Sequence, residues 1–161
     1  MDKDKKVYYT LEQLDIDYTV QQHEAVFTSE DVKAITPAIK GMHCKNLFLR
    51  NKKGDVHYLA VLPDTKNLNL KELSKTIDST NLSFASPGRL NKYLKVEPGS
   101  VSIFSLINDD DTNVKLIIDR DILECNVINF HPNINTATIS LPIDGFYKYI
   151  KTLNNDITYI S

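Results

Sequence analysis

Two apolar runs, Cys44 to Arg50 and Val56 to Leu62, flank the polar segment Asn51-Lys52-Lys53-Gly54. A short polar link ending in glycine, set between two such runs, reads as a β-hairpin. This feature constrains the chain most, because it puts sheet in the middle of the sequence and obliges the flanking segments to cover it. Side chains alternate along a strand, so Lys45 shares a face with Leu47 and Leu49, while Asn46, Phe48 and Arg50 share the other.

The flanking segments supply both helices and further strands. Val7, Leu11 and Leu14 fall at i, i+4 and i+7 and predict an amphipathic helix over 4–15, followed by a short strand from Asp17 to Gln22. Thr28-Ser29-Glu30-Asp31 reads as a helix start, with the helix running to about Ile35, before Pro37 and Gly41. Asn69 is placed to cap a helix carrying Leu70, Leu73 and Ile77. A brief strand, Leu82 to Ala85, precedes Ser86-Pro87, which opens a helix holding Leu90, Tyr93 and Leu94. After the Pro98-Gly99 turn the pattern predicts strands over 101–107, 114–118, 127–130 and 136–141, a helix over 142–153, and an edge strand over 157–160. Helices and strands are mixed, and hairpin-like links dominate late in the chain. The expected fold is therefore α+β, built on a mixed, largely antiparallel sheet, with 1–161 as a single domain.

Composition bears on the partners. A chain of 161 residues, 42% hydrophobic and 25% charged, can bury a core without metals or disulfides. Cys44 and Cys125 form no CxxC pair and are too few for a disulfide framework, which fits a reducing, cytoplasmic setting. The charged start, Met1 to Lys6, leads to no apolar stretch, so no signal peptide is expected, and no run is long enough for a membrane span. With a formal net charge of -2, long-range attraction to nucleic acid is weak, and an RNA partner would need a local basic patch. Lys52-Lys53 and Lys92 with Lys95 are the small clusters available.

Several residues are candidates for chemistry. Lys45, in register with two leucines, is either a lysine snorkelling from a strand end or an ammonium at a pocket rim that donates to a carbonyl or phosphate oxygen. His131 follows the apolar strand Val127 to Phe130 and sits on a loop at a strand end, where functional groups are common; a solvent-exposed or capping histidine is the alternative. Gly99-Ser100-Val101-Ser102 is a small-residue turn whose amides can approach a ligand closely, or an ordinary turn. Asp109-Asp110-Asp111 reads as a solvated loop in preference to a cation site. No zinc spacing, GxGxxG, P-loop or GxSxG motif is present, so no metal and no cofactor is expected. Cys44 points away from Lys45 under strict alternation and is not chosen as a nucleophile.

Five segments, in order, carry a resemblance. They are Tyr18-Thr19-Val20 with His23 and Val26-Phe27-Thr28; Lys45-Asn46-Leu47-Phe48-Leu49; Leu82 to Pro87; Pro98-Gly99-Ser100-Val101 with Leu106-Ile107-Asn108-Asp109; and Phe130-His131-Pro132 with Asn135-Thr136-Ala137-Thr138. Together the sequence resembles the YbaK/ProX-type prolyl-tRNA editing family, in particular the free-standing Ala-tRNA(Pro) deacylases. The resemblance implies a mixed, curved sheet flanked by helices, and hydrolysis of the ester between a mischarged amino acid and the tRNA 3′ end. It implies Lys45 as the essential lysine, His131 as the pocket histidine, and Asn46, Phe48 and Asn108 as residues lining the site. It implies mischarged tRNA(Pro) as the partner and leaves room for prolyl-tRNA synthetase as another.

On this reading Lys45 and the amides of the 99–102 turn hold the ester region, water attacks, and Phe48 and His131 narrow the pocket so that alanine fits and proline does not. A non-catalytic module that senses an amino acid or an aminoacyl-tRNA with the same pocket is the alternative. Two departures stand out. Ile103 occupies the position where the family's G-x-x-x-P loop carries proline, which would fix φ and remove an N–H. Gly88 sits in a helix start where the family carries a polar helix former, with an expected cost in stability.

Overall fold

Asn51 closes the central hairpin with its side chain. In the computed structural model, which describes residues 2–25 and 39–161, its Oδ1 accepts from the amides of Gly54, Asp55 and Val56, at 2.9, 3.1 and 3.2 Å. Gly54 adopts φ +78°, the left-handed geometry such a turn demands. The turn joins β2 (Met42–Arg50) to β3 (His57–Pro63), antiparallel from Cys44 opposite Pro63 to Arg50 opposite His57.

Alternation along β2 decides the layering. Phe48 packs into the larger core, with Cys44 against it, while Leu49 packs into a smaller one, with Leu47 against it. The larger core receives Val7 and Leu11 of α1 (Lys3–Gln13), Leu90 and Leu94 of α3 (Pro87–Leu94), and Phe146, Tyr149 and Ile150 of α4 (Ile143–Thr152). The smaller receives Leu73 of α2 (Leu70–Thr76). β3, covered on both sides, is buried at every position, which is why its sequence is a continuous apolar run. Asn69 caps α2 by accepting from Glu72 N, and Ser86 caps α3 by accepting from Arg89 N with Pro87 in the first turn. Each such cap contributes about 1 kcal/mol.

The other strands are β1 (Thr19–Gln22), β4 (Ser83–Phe84), β5 (Val114–Asp119), β6 (Val127–Phe130), β7 (Ala137–Pro142) and β8 (Ile157–Ile160). Their order is β1-β7-β6-β2-β3-β5-β8, with β4 against β2. The β1/β7, β7/β6, β2/β3 and β2/β4 pairs are antiparallel; β6/β2, β3/β5 and β5/β8 are parallel. The α+β class and the mixed, largely antiparallel sheet are as the sequence predicts, though β5 and β8 join in parallel where a late hairpin pattern was expected. The helix expected from Thr28 to Ile35 lies outside the described residues.

Two other expectations are corrected. Residues 101–107 do not form a strand: Ile103–Asn108 is a 3-10 helix. Ser102 Oγ accepts from Phe104 N while Ser105 Oγ accepts from Ser102 N, a reciprocal cap that turns the chain. Ile103, Phe104 and Leu106 are all buried, so the run carries no two-sided alternation. Asp109 is not solvated: it is buried, and its carboxylate accepts from Asn113 N, Val114 N and Asn155 Nδ2 at 2.8 to 3.0 Å.

Candidate functional site

β2 changes partner along its length, and that opens a gap. Met42 and His43 pair with β6, Leu49 and Arg50 pair with β4, and neither ladder covers the stretch between. Where β6 leaves β2 lies a cavity of about 50 Å³. His43, Cys44 and Asn46 line it from β2, Asn129 and Phe130 from β6, Thr138 from β7, and His131 from the loop just beyond β6.

Its polar groups are sharply defined. His131 Nδ1 lies 3.1 Å from the Ala137 carbonyl and must donate to it, which leaves Nε2 with a lone pair. Burial, with His23 and His43 nearby, holds His131 below the ordinary histidine pKa, so the ring is neutral near pH 7 and Nε2 accepts. The His23 ring stands 6.2 Å from that of His131, with its Nε2 2.8 Å from Thr138 Oγ1. His43 Nε2 lies 2.6 Å from the Ile39 carbonyl. Asn129 Nδ2 donates to the carbonyls of Lys40 and Met42, and its Oδ1 accepts from Ser140 Oγ, so its amide is spent on holding the wall. Asn46 differs: its Oδ1 is buried with no hydrogen-bond partner among the described residues. An orphaned acceptor in a cavity wall is unfavourable until a donor enters. Burial pushes the Cys44 thiol well above its ordinary range, so it offers no thiolate.

The structure brings Asn46 and His131 together and places the other sequence candidates elsewhere. Lys45 lies on the opposite face of β2, opposite Leu62, and makes no hydrogen bond or ion pair with a described residue. Phe48 stacks on His57 at 5.5 Å, further along the strand. Asn108 has both ends of its amide engaged: Lys6 Nζ donates to Oδ1, and Nδ2 donates to the Leu94 carbonyl. In the Gly99–Ser102 turn, Ser100 N donates to Glu97 O and Ser102 N to Ser105 Oγ. Only Gly99 and Val101 keep amides with no partner among the described residues. Ile103 is the first residue of the capped 3-10 helix, a position whose N–H has no partner within the helix. The reciprocal serine cap imposes the turn that proline would otherwise favour there.

Sequence reasoning gave no role to His43, Asn129 or Thr138. Thr138 ends the Asn135-Thr136-Ala137-Thr138 stretch, which is the signal that pointed to it. Asn129 alternates with apolar residues on β6 and gave none. Among the described residues no group of three or more His, Cys, Asp or Glu side chains is placed to hold a metal ion.

Residues 23–149 match the family model described as the aminoacyl-tRNA editing domain. The chain is 39% identical over 155 residues, 96% of its length and 94% of the relative's, to the prolyl-tRNA editing protein ProX of Acetoanaerobium sticklandii. It is 35% identical over 141 residues, 85% of its length and 83% of the relative's, to prolyl-tRNA synthetase associated domain-containing protein 1 of Mus musculus. A crystal structure of a candidate trans-editing enzyme for prolyl tRNA synthetase shares the fold, with TM-score 0.74, 16% identity, and 99% and 96% of the two chains covered.

Proposed function

The chain belongs to the family of aminoacyl-tRNA editing domains, and on that premise we propose that it is a trans-editing hydrolase that clears alanine from mischarged Ala-tRNA(Pro). The observation that carries this reading is the small cavity with its unpaired Asn46 acceptor beside a neutral histidine. An aminoacyl ester presents an α-ammonium with three donors, and Asn46 Oδ1 and His131 Nε2 are two acceptors without negative charge for it. A small side chain is the better match to a cavity of about 50 Å³, and selection against the larger pyrrolidine ring would be steric. Rejection by clash discriminates more strongly than the roughly 1–3 kcal/mol that a missing methylene supplies.

The ester is already activated, so the main task is to stabilise the oxyanion of the tetrahedral intermediate. Lys45 fits that task as a mobile cation. Its side chain makes no hydrogen bond to a described residue, and no strand among the described residues pairs with that edge of β2 beside it, so it would turn round that edge when an ester oxygen arrives. The nucleophile is water, assisted by the free hydroxyl of the terminal ribose. The setting is cytoplasmic, with prolyl-tRNA synthetase as a companion that supplies the mischarged tRNA. Among the described residues no helix is long and apolar enough to cross a membrane.

A non-catalytic sensing module is favoured by two observations: Lys45 faces away from the cavity, and the Ser100 and Ser102 amides are already engaged. Lys45→Ala separates the two readings. A hydrolase loses deacylation of Ala-tRNA(Pro) in that variant while its circular dichroism stays native. Turnover at the wild-type rate in a folded Lys45→Ala protein rejects the role given to the lysine.

A further inference from the structure

Two guanidinium groups stand side by side at the far end of β2, and neither is paired with a carboxylate of a described residue. Arg50 is held by its own turn, Nε donating to Asn51 O at 3.2 Å and Nη2 to Lys52 O at 2.9 Å. Arg89, from α3, donates through Nη1 to Gly54 O at 2.9 Å and to His57 Nε2 at 3.1 Å. A methyl group built at Gly54 would meet both, at 2.9 Å from Arg89 Nη2 and 3.1 Å from Arg50 Nη2, so the two tips converge on one point. Neither arginine is in an ion pair among the described residues.

The surroundings add to the positive field. Lys52 and Lys53 project from the same turn, and Lys92 lies over the Tyr93 ring at 5.2 Å. His57, packed against both Phe48 and Tyr93, accepts from Arg89 and so remains neutral. Asp55, on the same turn, is exposed and engaged with Asn51 and Lys53. The chain as a whole carries -2, so this basic cluster is set into an otherwise acidic surface. Fixing two like charges together is unfavourable unless an anion joins them, and two forked guanidiniums match the oxygens of a phosphate.

We propose that Arg50 and Arg89, with Lys52, Lys53 and Lys92 around them, form a clamp for an RNA backbone phosphate. The identity of that RNA as the tRNA whose ester enters the Asn46 cavity rests on the function proposed above. Arg50 and Asn46 share a face of β2 four residues apart, about 13 Å at the rise of a strand. At the ~3.4 Å rise of a stacked strand, that spans about four nucleotides.

The test measures binding of uncharged tRNA(Pro) at several salt concentrations, for the wild type, Arg50→Gln, Arg89→Gln and the double variant Lys52→Gln/Lys53→Gln. Removing either arginine is expected to weaken binding roughly tenfold and to lower the salt slope by about one. The kcat for an alanyl ester of a trinucleotide, too short to reach the clamp, is expected to stay unchanged. Because Arg89 also ties α3 to the hairpin, the lysine pair serves as the second probe: its side chains hold no other element, and its loss is expected to flatten the salt dependence with the melting temperature unchanged. Wild-type affinity and salt slope in folded arginine and lysine variants would overturn the clamp. So would displacement of the tRNA by a millimolar mononucleotide at matched ionic strength, which would assign the site to a free nucleotide. Binding through the clamp without ester hydrolysis supports the clamp and refutes the deacylase; hydrolysis with binding indifferent to these residues does the reverse.

Discussion

Replacing Asn46 by leucine, which keeps the branched shape, exposes the tension built into the cavity. The wild-type Oδ1 is buried without a partner among the described residues, and such a group costs about 1–3 kcal/mol. Asn46→Leu removes that cost and adds apolar contact with Phe130 across the cavity. A gain of about 1–2 kcal/mol is expected, which for a chain of this size raises the melting temperature by about 3–6 °C. The same substitution removes an acceptor for the charged α-ammonium, a bond of about 1.5–3 kcal/mol, so kcat/KM for Ala-tRNA(Pro) should fall about 10- to 150-fold. Thermal unfolding by circular dichroism and single-substrate deacylation read the two effects separately. A variant that melts lower than wild type and turns over normally would refute the reasoning, since the orphaned oxygen would then be neither a burden nor a ligand.

Two further outcomes follow from the same geometry. His131 and His57 are both held below the ordinary histidine pKa, chiefly by burial, so the unfolded chain takes up their protons near pH 6.5 and the folded chain only at lower pH. Stability should therefore decline as pH falls below about 6.5, and the acid limb of kcat/KM should lie below pH 6.5 and vanish in His131→Gln; a limb that persists in that variant assigns it to another group. Gly88, in the first turn of α3, has open space around it, the nearest atom to an added Cβ being Ser86 Oγ at 3.8 Å. Gly88→Ala should stabilise by about 0.5–1 kcal/mol with unchanged deacylation, measured by thermal melting.

Much of the fold was legible because local chemistry and burial agree. The Asn51 to Gly54 link, the Asn69 and Ser86 caps and the alternation of β2 each specify their element without help from distant residues. The 101–107 segment was misread because its local Ser102–Ser105 cap is held by a tertiary bond, Ser105 Oγ donating to Asn133 Oδ1, which no local pattern reports. Parallel joining of β5 and β8 was likewise invisible, since it depends on where the last helix delivers the chain. In the site, alternation placed Lys45 and Asn46 on opposite faces, as the structure has them. What alternation could not give was the departure of β6 from β2 after His43, beside which the cavity lies. Asn108 and Phe48 carry family signals, yet here one pins α1 to α3 and the other builds an aromatic stack.

The most direct test of the central claim is deacylation of three purified substrates, alanyl-, cysteinyl- and prolyl-tRNA(Pro), by the wild-type chain. A cavity of about 50 Å³ with two neutral acceptors predicts rapid release of alanine and no release of proline. Tight binding of all three with no turnover of any, or hydrolysis of prolyl-tRNA(Pro) at the alanyl rate, would contradict it.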